Sequence, residues 1–130
     1  MILLDTHVVV WLAFDQNKLS RKARNAIDNA RKTATALAIS DITLLELATL
    51  ADKGRIHLDL SVESFLQEVE SRFVVRPMTA RICARAVSLP ANFPKDPADR
   101  IIGATALVEG LSLLTADRQI RKSKAVRVVW

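Results

Sequence analysis

Residues 2–12 read Ile-Leu-Leu-Asp-Thr-His-Val-Val-Val-Trp-Leu, and how this stretch folds decides the architecture. Ile2, Leu3 and Leu4 are apolar without alternation, as expected for a short strand buried on both faces. Asp5 stops that run and can accept a backbone N–H at the start of a helix. The residues after it, 6–14, are read as that helix, although three valines locally favour a strand.

The same strand–cap–helix unit recurs along the chain. Residues 35–39 read as a second strand, and Ser40 caps a helix over 41–53 that Gly54 ends. Phe73, Val74 and Val75 read as a third strand, followed by Thr79 and a helix over 80–88. Residues 111–114 read as a fourth strand, Asp117 precedes a short helix, and Val126 to Val129 read as a last strand. Two further helices fill the gaps. Ser20 caps 21–32, with Ala23, Ala26, Ile27 and Ala30 on one face. Ser61 caps 62–71, with Val62, Phe65, Leu66 and Val69 at helical spacing. The stretch 89–97, with Pro90, Pro94 and Pro97, is a loop whose last proline suits the first turn of a helix over 97–109, ended by Gly110. Alternating βα units imply an α/β fold of three layers (α/β/α), with a central, mostly parallel sheet of four or five strands, in one domain over 1–130.

The bulk properties agree with a compact α/β chain. Of 130 residues, 50% are hydrophobic and 25% charged, and only 3 Gly and 4 Pro are present, which excludes disordered and collagen-like classes. Cys83 is the only cysteine. It can form no internal disulfide and reads as a buried small hydrophobe in a reducing compartment. The start lacks a basic leader, and no apolar run reaches the roughly 18 residues of a membrane span. A soluble, cytoplasmic protein is expected. The net charge of +5 favours polyanionic partners. It is concentrated in one cluster of Lys18, Arg21, Lys22, Arg24, Arg31 and Lys32, and a second of Arg118, Arg121, Lys122, Lys124 and Arg127. Either cluster alone also reads as a solvated helix face.

In an open parallel sheet, ligands bind beyond the carboxyl ends of the strands. Asp5 directly follows the first strand and Asp117 follows the fourth by two residues. Asp99 lies in the first turn of the helix over 97–109, and Glu46 in the middle of the helix over 41–53. Asp5 and Asp117 could each be a plain helix cap, and Asp96 before Pro97 is read as one. Glu46 resists that reading, because the helix ITLLELATLA is apolar nearly all round and should be buried. A buried ionised Glu needs a partner, either an arginine or a cation.

Gathering Asp5, Glu46, Asp99 and Asp117 at one place would be costly. Two unit charges 4 Å apart repel by about 4 kcal/mol at an effective dielectric of 20. A hard divalent cation, Mg²⁺ or alternatively Mn²⁺, relieves that repulsion, and no His/Cys cluster points to zinc. Such a centre suits phosphodiester hydrolysis. His7 and His57 stand alone in the sequence and read as structural or surface residues, with a substrate contact open for His7.

The stretches LLDTHVVVWL (3–12), ITLLELATL (42–50), DPADRIIGATAL (96–107) and LLTADRQI (113–120) together resemble the PIN domain, and more narrowly the VapC-type toxins of bacterial type II toxin–antitoxin pairs. The resemblance spans nearly the whole chain. It implies a PIN-like fold and Asp5, Glu46, Asp99 and Asp117 as the acidic metal-site residues. Thr6, Thr115 and Arg100 take supporting roles, Arg100 by pairing with a carboxylate or contacting phosphate. It further implies a Mg²⁺- or Mn²⁺-dependent endoribonuclease, an RNA substrate, a homodimer and a small VapB-like antitoxin. Two other readings compete. One is a DNA-directed nuclease on the same fold, since nothing in the sequence shows a 2′-OH contact. The other is a non-catalytic metal-binding or interaction module. A receiver-like or DxD phosphatase site is disfavoured because Thr6 and His7, not acids, follow Asp5.

Overall fold

The computed structural model describes residues Met1–Trp130. In chain order it runs β1 (Ile2–Leu4), α1 (Thr6–Phe14), α2 (Arg21–Lys32), β2 (Leu37–Ser40), α3 (Asp41–Asp52), α4 (Val62–Arg72), β3 (Val74–Arg76), α5 (Ala80–Val87), α6 (Pro97–Glu109), β4 (Ser112–Leu114), α7 (Arg118–Ser123) and β5 (Val128–Val129). A single 3₁₀ turn, Gln16–Lys18, links α1 to α2.

Every helix starts where a polar residue can accept a free backbone N–H. Ser20, Ser40, Ser61 and Thr79 cap α2 to α5, and Asp5, Asp96 and Asp117 cap α1, α6 and α7. Each such cap contributes about 1 kcal/mol. At the other end of α6, Gly110 takes the left-handed conformation (φ 66°), which glycine adopts without steric cost.

The five strands form one sheet in the order β3-β2-β1-β4-β5, and every pairing is parallel. β1 lies at the centre, with Leu3 opposite Ala38 on one side and Leu113 on the other. Successive strand residues face opposite layers. Leu4, Ile39 and Leu114 pack with Val8, Ile27, Leu47 and Phe65 from α1 to α4. Leu3, Ala38 and Leu113 pack with Phe93, Ile102 and Ile120 on the other side. These are the three layers expected from the βα alternation. The chain leaves β1 toward β2 and β3, then returns to place β4 on its other flank, so the topological switch point falls between β1 and β4.

Several local expectations are corrected. β2 begins at Leu37 rather than residue 35: Ala34 has a positive φ of 55°, and Thr33 and Thr35 hydrogen-bond to each other at 2.9 Å, so this segment closes α2. β3 begins at Val74, because Phe73 N–H donates to Val69 O at the end of α4. α3 is not buried all round: only Thr43 and Leu47 are fully buried, and Leu45 is 62% exposed. Cys83 is exposed, since α5 buries Ile82 and Ala86 and the next position turns outward. No helix is long and apolar enough to cross a membrane.

Candidate acidic site at the carboxyl edge of the sheet

Asp5 reaches the carboxyl edge because its own N–H donates to Leu114 O across the switch point. Its carboxylate is held from two sides, and the residue is 3% exposed. Oδ1 accepts the Thr6 N–H at 2.9 Å and Oδ2 accepts the Thr115 hydroxyl at 2.8 Å. Thr115 Oγ1 in turn accepts the Asp117 N–H at 3.1 Å, so one hydroxyl ties the ends of β1 and β4 together. Asp5 thus combines both readings of the sequence: it caps α1 and still presents a carboxylate.

Thr6 turns the other way. Its hydroxyl donates to Glu46 Oε1 at 2.5 Å and lies 3.0 Å from Thr43 Oγ1. That contact brings the middle of α3 to the start of α1. No arginine pairs with Glu46: the ion pairs of the chain are Lys18–Asp15, Arg72–Glu68 and Arg76–Glu109. The Glu–Arg alternative is therefore excluded. Burial raises the Glu46 pKa; the Thr6 hydrogen bond lowers it, and the charges of Asp5 and Asp96 raise it further.

Asp99 is the most perturbed group. Its backbone N–H donates to the capping Asp96 Oδ1 at 3.2 Å, and none of the ion pairs reaches its carboxylate. Burial, then the charges of Asp5, Asp96, Glu46 and Asp117, push its pKa up to about 7. Asp5, Thr6, Glu46 and Asp99 all line one open hollow of about 740 Å³. Asp117 does not line it. Its carboxylate accepts the Ile120 N–H at 2.9 Å as the cap of α7, and it acts on Asp99 electrostatically from the edge. No three of the carboxylates close on a single point.

The three supporting assignments divide. Thr6 and Thr115 hold the acids as described. Arg100 does not: its Nη1 donates to Ala86 O at 3.1 Å, fastening α6 to α5 and leaving no pairing with an acid. Three features escaped the sequence reading. Asp96, read only as a cap, also adds negative charge beside Glu46 and Asp99. His7 is not isolated: its Nε2 accepts the Ala116 N–H at 2.9 Å, which leaves the proton on Nδ1, 3.6 Å from Asp5 Oδ2. Arg55 and His57 line the same hollow. The hydrogen bond of His7 with Ala116 and the repulsion of Asp96 with Glu46 join residues far apart in sequence, and no local spacing signals them.

The donor set is oxygen only, and no lysine or arginine forms an ion pair with Asp5, Glu46 or Asp99, which fits a hard divalent cation. Fold and site together define a parallel α/β protein that collects carboxylates where β1 and β4 diverge. The chain belongs to the PIN domain family, whose profile matches residues 2–125. It is 41% identical, over 99% of its length and 98% of the relative's, to Ribonuclease VapC22 of Mycobacterium tuberculosis. Among solved structures, it resembles a chain of a toxin–antitoxin complex from Klebsiella pneumoniae (26% identity, TM-score 0.68, covering 100% of this chain and 97% of that one). It shares its fold with a chain of VapBC2 from Rickettsia felis bound to a promoter DNA fragment (20% identity, TM-score 0.75, covering 98% and 97%).

Proposed function

We propose that this chain is an endoribonuclease of the VapC type, the toxin of a toxin–antitoxin pair, which hydrolyses RNA phosphodiester bonds at the acidic hollow. The observation that carries the reading is geometric: Asp5, Glu46 and Asp99, from three separate parts of the chain, line one hollow at the carboxyl edge of the sheet, and no lysine or arginine forms an ion pair with any of them. Asp5, Glu46 and Asp99 are the residues that would hold Mg²⁺, with Mn²⁺ as the alternative, and Asp117 contributes from the rim. Such an ion, when bound, neutralises phosphate charge and lowers the pKa of water.

The chain's own residues do the positioning. Thr115 and the Thr6 N–H fix both oxygens of Asp5, and the Thr6 hydroxyl fixes Glu46. Carboxylates locked in this way need little reorganisation when substrate arrives. Mg²⁺ retains several waters, so acids that do not all converge on one point suit it. The likeness to a ribonuclease over nearly the full length favours RNA above DNA. A VapB-like antitoxin and a second copy of the chain complete the proposed partners. The test is cleavage of labelled single-stranded RNA and its DNA counterpart by protein supplied with Mg²⁺ or Mn²⁺. RNA products are expected. Cleavage of DNA alone would move the assignment to the DNA-directed alternative.

A further inference from the structure

Five cations converge on a second hollow, and none of them has an acidic partner. A groove of about 780 Å³ is lined by Lys22 of α2, by Arg118, Arg121 and Lys122 of α7, and by Lys124 and Trp130. The remaining lining residues are Val126 and Val128, so no acid faces these charges. The fold thus joins the two basic clusters of the sequence: Lys22 comes from the first and the α7 residues from the second. A solvated helix face needs no concavity, and one helix alone could not supply this set. Like charges around a concave surface focus a positive potential.

The groove is also joined to the acidic hollow. Trp130, which lines it, has its ring 5.8 Å from that of Trp11 and 6.4 Å from that of His7, and both of those residues line the acidic hollow. Arg118 directly follows Asp117 at the rim of the same site. We propose that this groove carries the phosphodiester backbone of a single-stranded RNA that extends from the acidic hollow across the Trp130–Trp11 wall. The inference rests on the ribonuclease reading of that hollow. Lysines and arginines that meet phosphates beside an aromatic platform bind a single strand with little regard to base identity. The groove therefore supplies affinity and direction for the strand but no sequence readout.

The test is fluorescence anisotropy with oligouridines of roughly 20 and roughly 5 nucleotides, the longer able to reach both hollows and the shorter only one. The protein carries Asp99→Asn to separate binding from cleavage. Adding Arg121→Glu and Lys122→Glu is expected to cut the long oligomer's affinity advantage over the short one by about tenfold and to flatten the salt slope by about 0.7 for each phosphate that the variant no longer neutralises. Trp130→Ala is expected to cut the same advantage. Arg121→Lys, which keeps the charge, should leave the salt slope as it was. Thermal melts confirm folding, and Lys122→Gln with Lys124→Gln replaces the reversal pair if that pair fails to fold. An unchanged length advantage and salt slope in a folded variant overturns the groove proposal alone. So does retained RNA binding with loss of poly-glutamate binding, which assigns the groove to an acidic polypeptide. Absence of RNA binding before any groove substitution overturns the ribonuclease reading and this one together.

Discussion

At Asp99, folding itself opposes ionisation. Its pKa in the folded chain, about 7, lies above its ordinary value of 3.8. Between those values the folded state holds more protons than the unfolded state, so metal-free stability falls as pH rises from about 4 to about 7 and then levels off. Asp99→Asn should remove the share of that fall due to Asp99, leaving the share of Glu46, whose pKa is also raised, and stabilise the metal-free protein at pH 8 by on the order of 1–2 kcal/mol, after solvent screening of a half-buried group. Melting curves at pH 5 and pH 8 with chelator check this; an identical pH dependence in the variant contradicts it. Thr6 makes a second residue-scale case. Thr6→Val removes the donor to Glu46 Oε1 and the neighbour of Thr43 Oγ1, leaving both short of a partner at a cost of about 1–3 kcal/mol. Metal affinity measured by titration calorimetry should fall with it, and Thr6→Ser should restore it. Asp5, Glu46 and Asp99 stand out in the sequence as candidates, Asp5 by its place after a strand and Glu46 by its apolar helix, and the fold sets all three around one hollow. The second identity of Asp96 and the tautomer of His7 were not legible, since each depends on what the fold brings beside it.

The elements were the most legible part of the chain. Caps at Ser20, Ser40, Ser61, Thr79 and Asp96 each preceded a helix, because a short polar side chain before an apolar periodic run has few other uses. Misreadings came where tertiary context decides. In α3, Leu45 and Glu46 both lie outside the buried Thr43–Leu47 stripe, so apolar residues all round did not mean burial all round. Cys83 failed for the same reason. One element-scale constraint is sharp. A Cβ on Gly103 would stand 2.5 Å from Phe93 Cζ, and Phe93 is fully buried. Gly103→Ala should therefore destabilise the protein by about 1–3 kcal/mol through overpacking and shift α6, the helix that carries Asp99. Denaturant melts and cleavage rates measure both effects. Phe93→Leu in the same chain should recover part of the loss; no loss in the single variant would show that the α6–Phe93 contact yields freely.

At the scale of the whole molecule, α1, α3, α6 and β4 each deliver one part of the site, so an ion bound there should stabilise the global fold. Mn²⁺ at about 100 times its Kd should add about 2.7 kcal/mol, read as a rise in Tm. Asp5→Asn should abolish the rise. The parallel three-layer plan was legible because βα repeats admit few topologies. The strand order was not, because which strand lies beside β1 is a long-range choice, and that choice sets the switch point where the acids meet.

The most direct measurement is cleavage of a labelled RNA by metal-stripped protein resupplied with Mg²⁺ or Mn²⁺, comparing the unaltered chain with Asp5→Asn and Asp99→Asn. The carboxylate-centre account predicts RNA products only from the unaltered chain and only when the ion is present. Equal cleavage by either variant, or full activity in chelator, would contradict it.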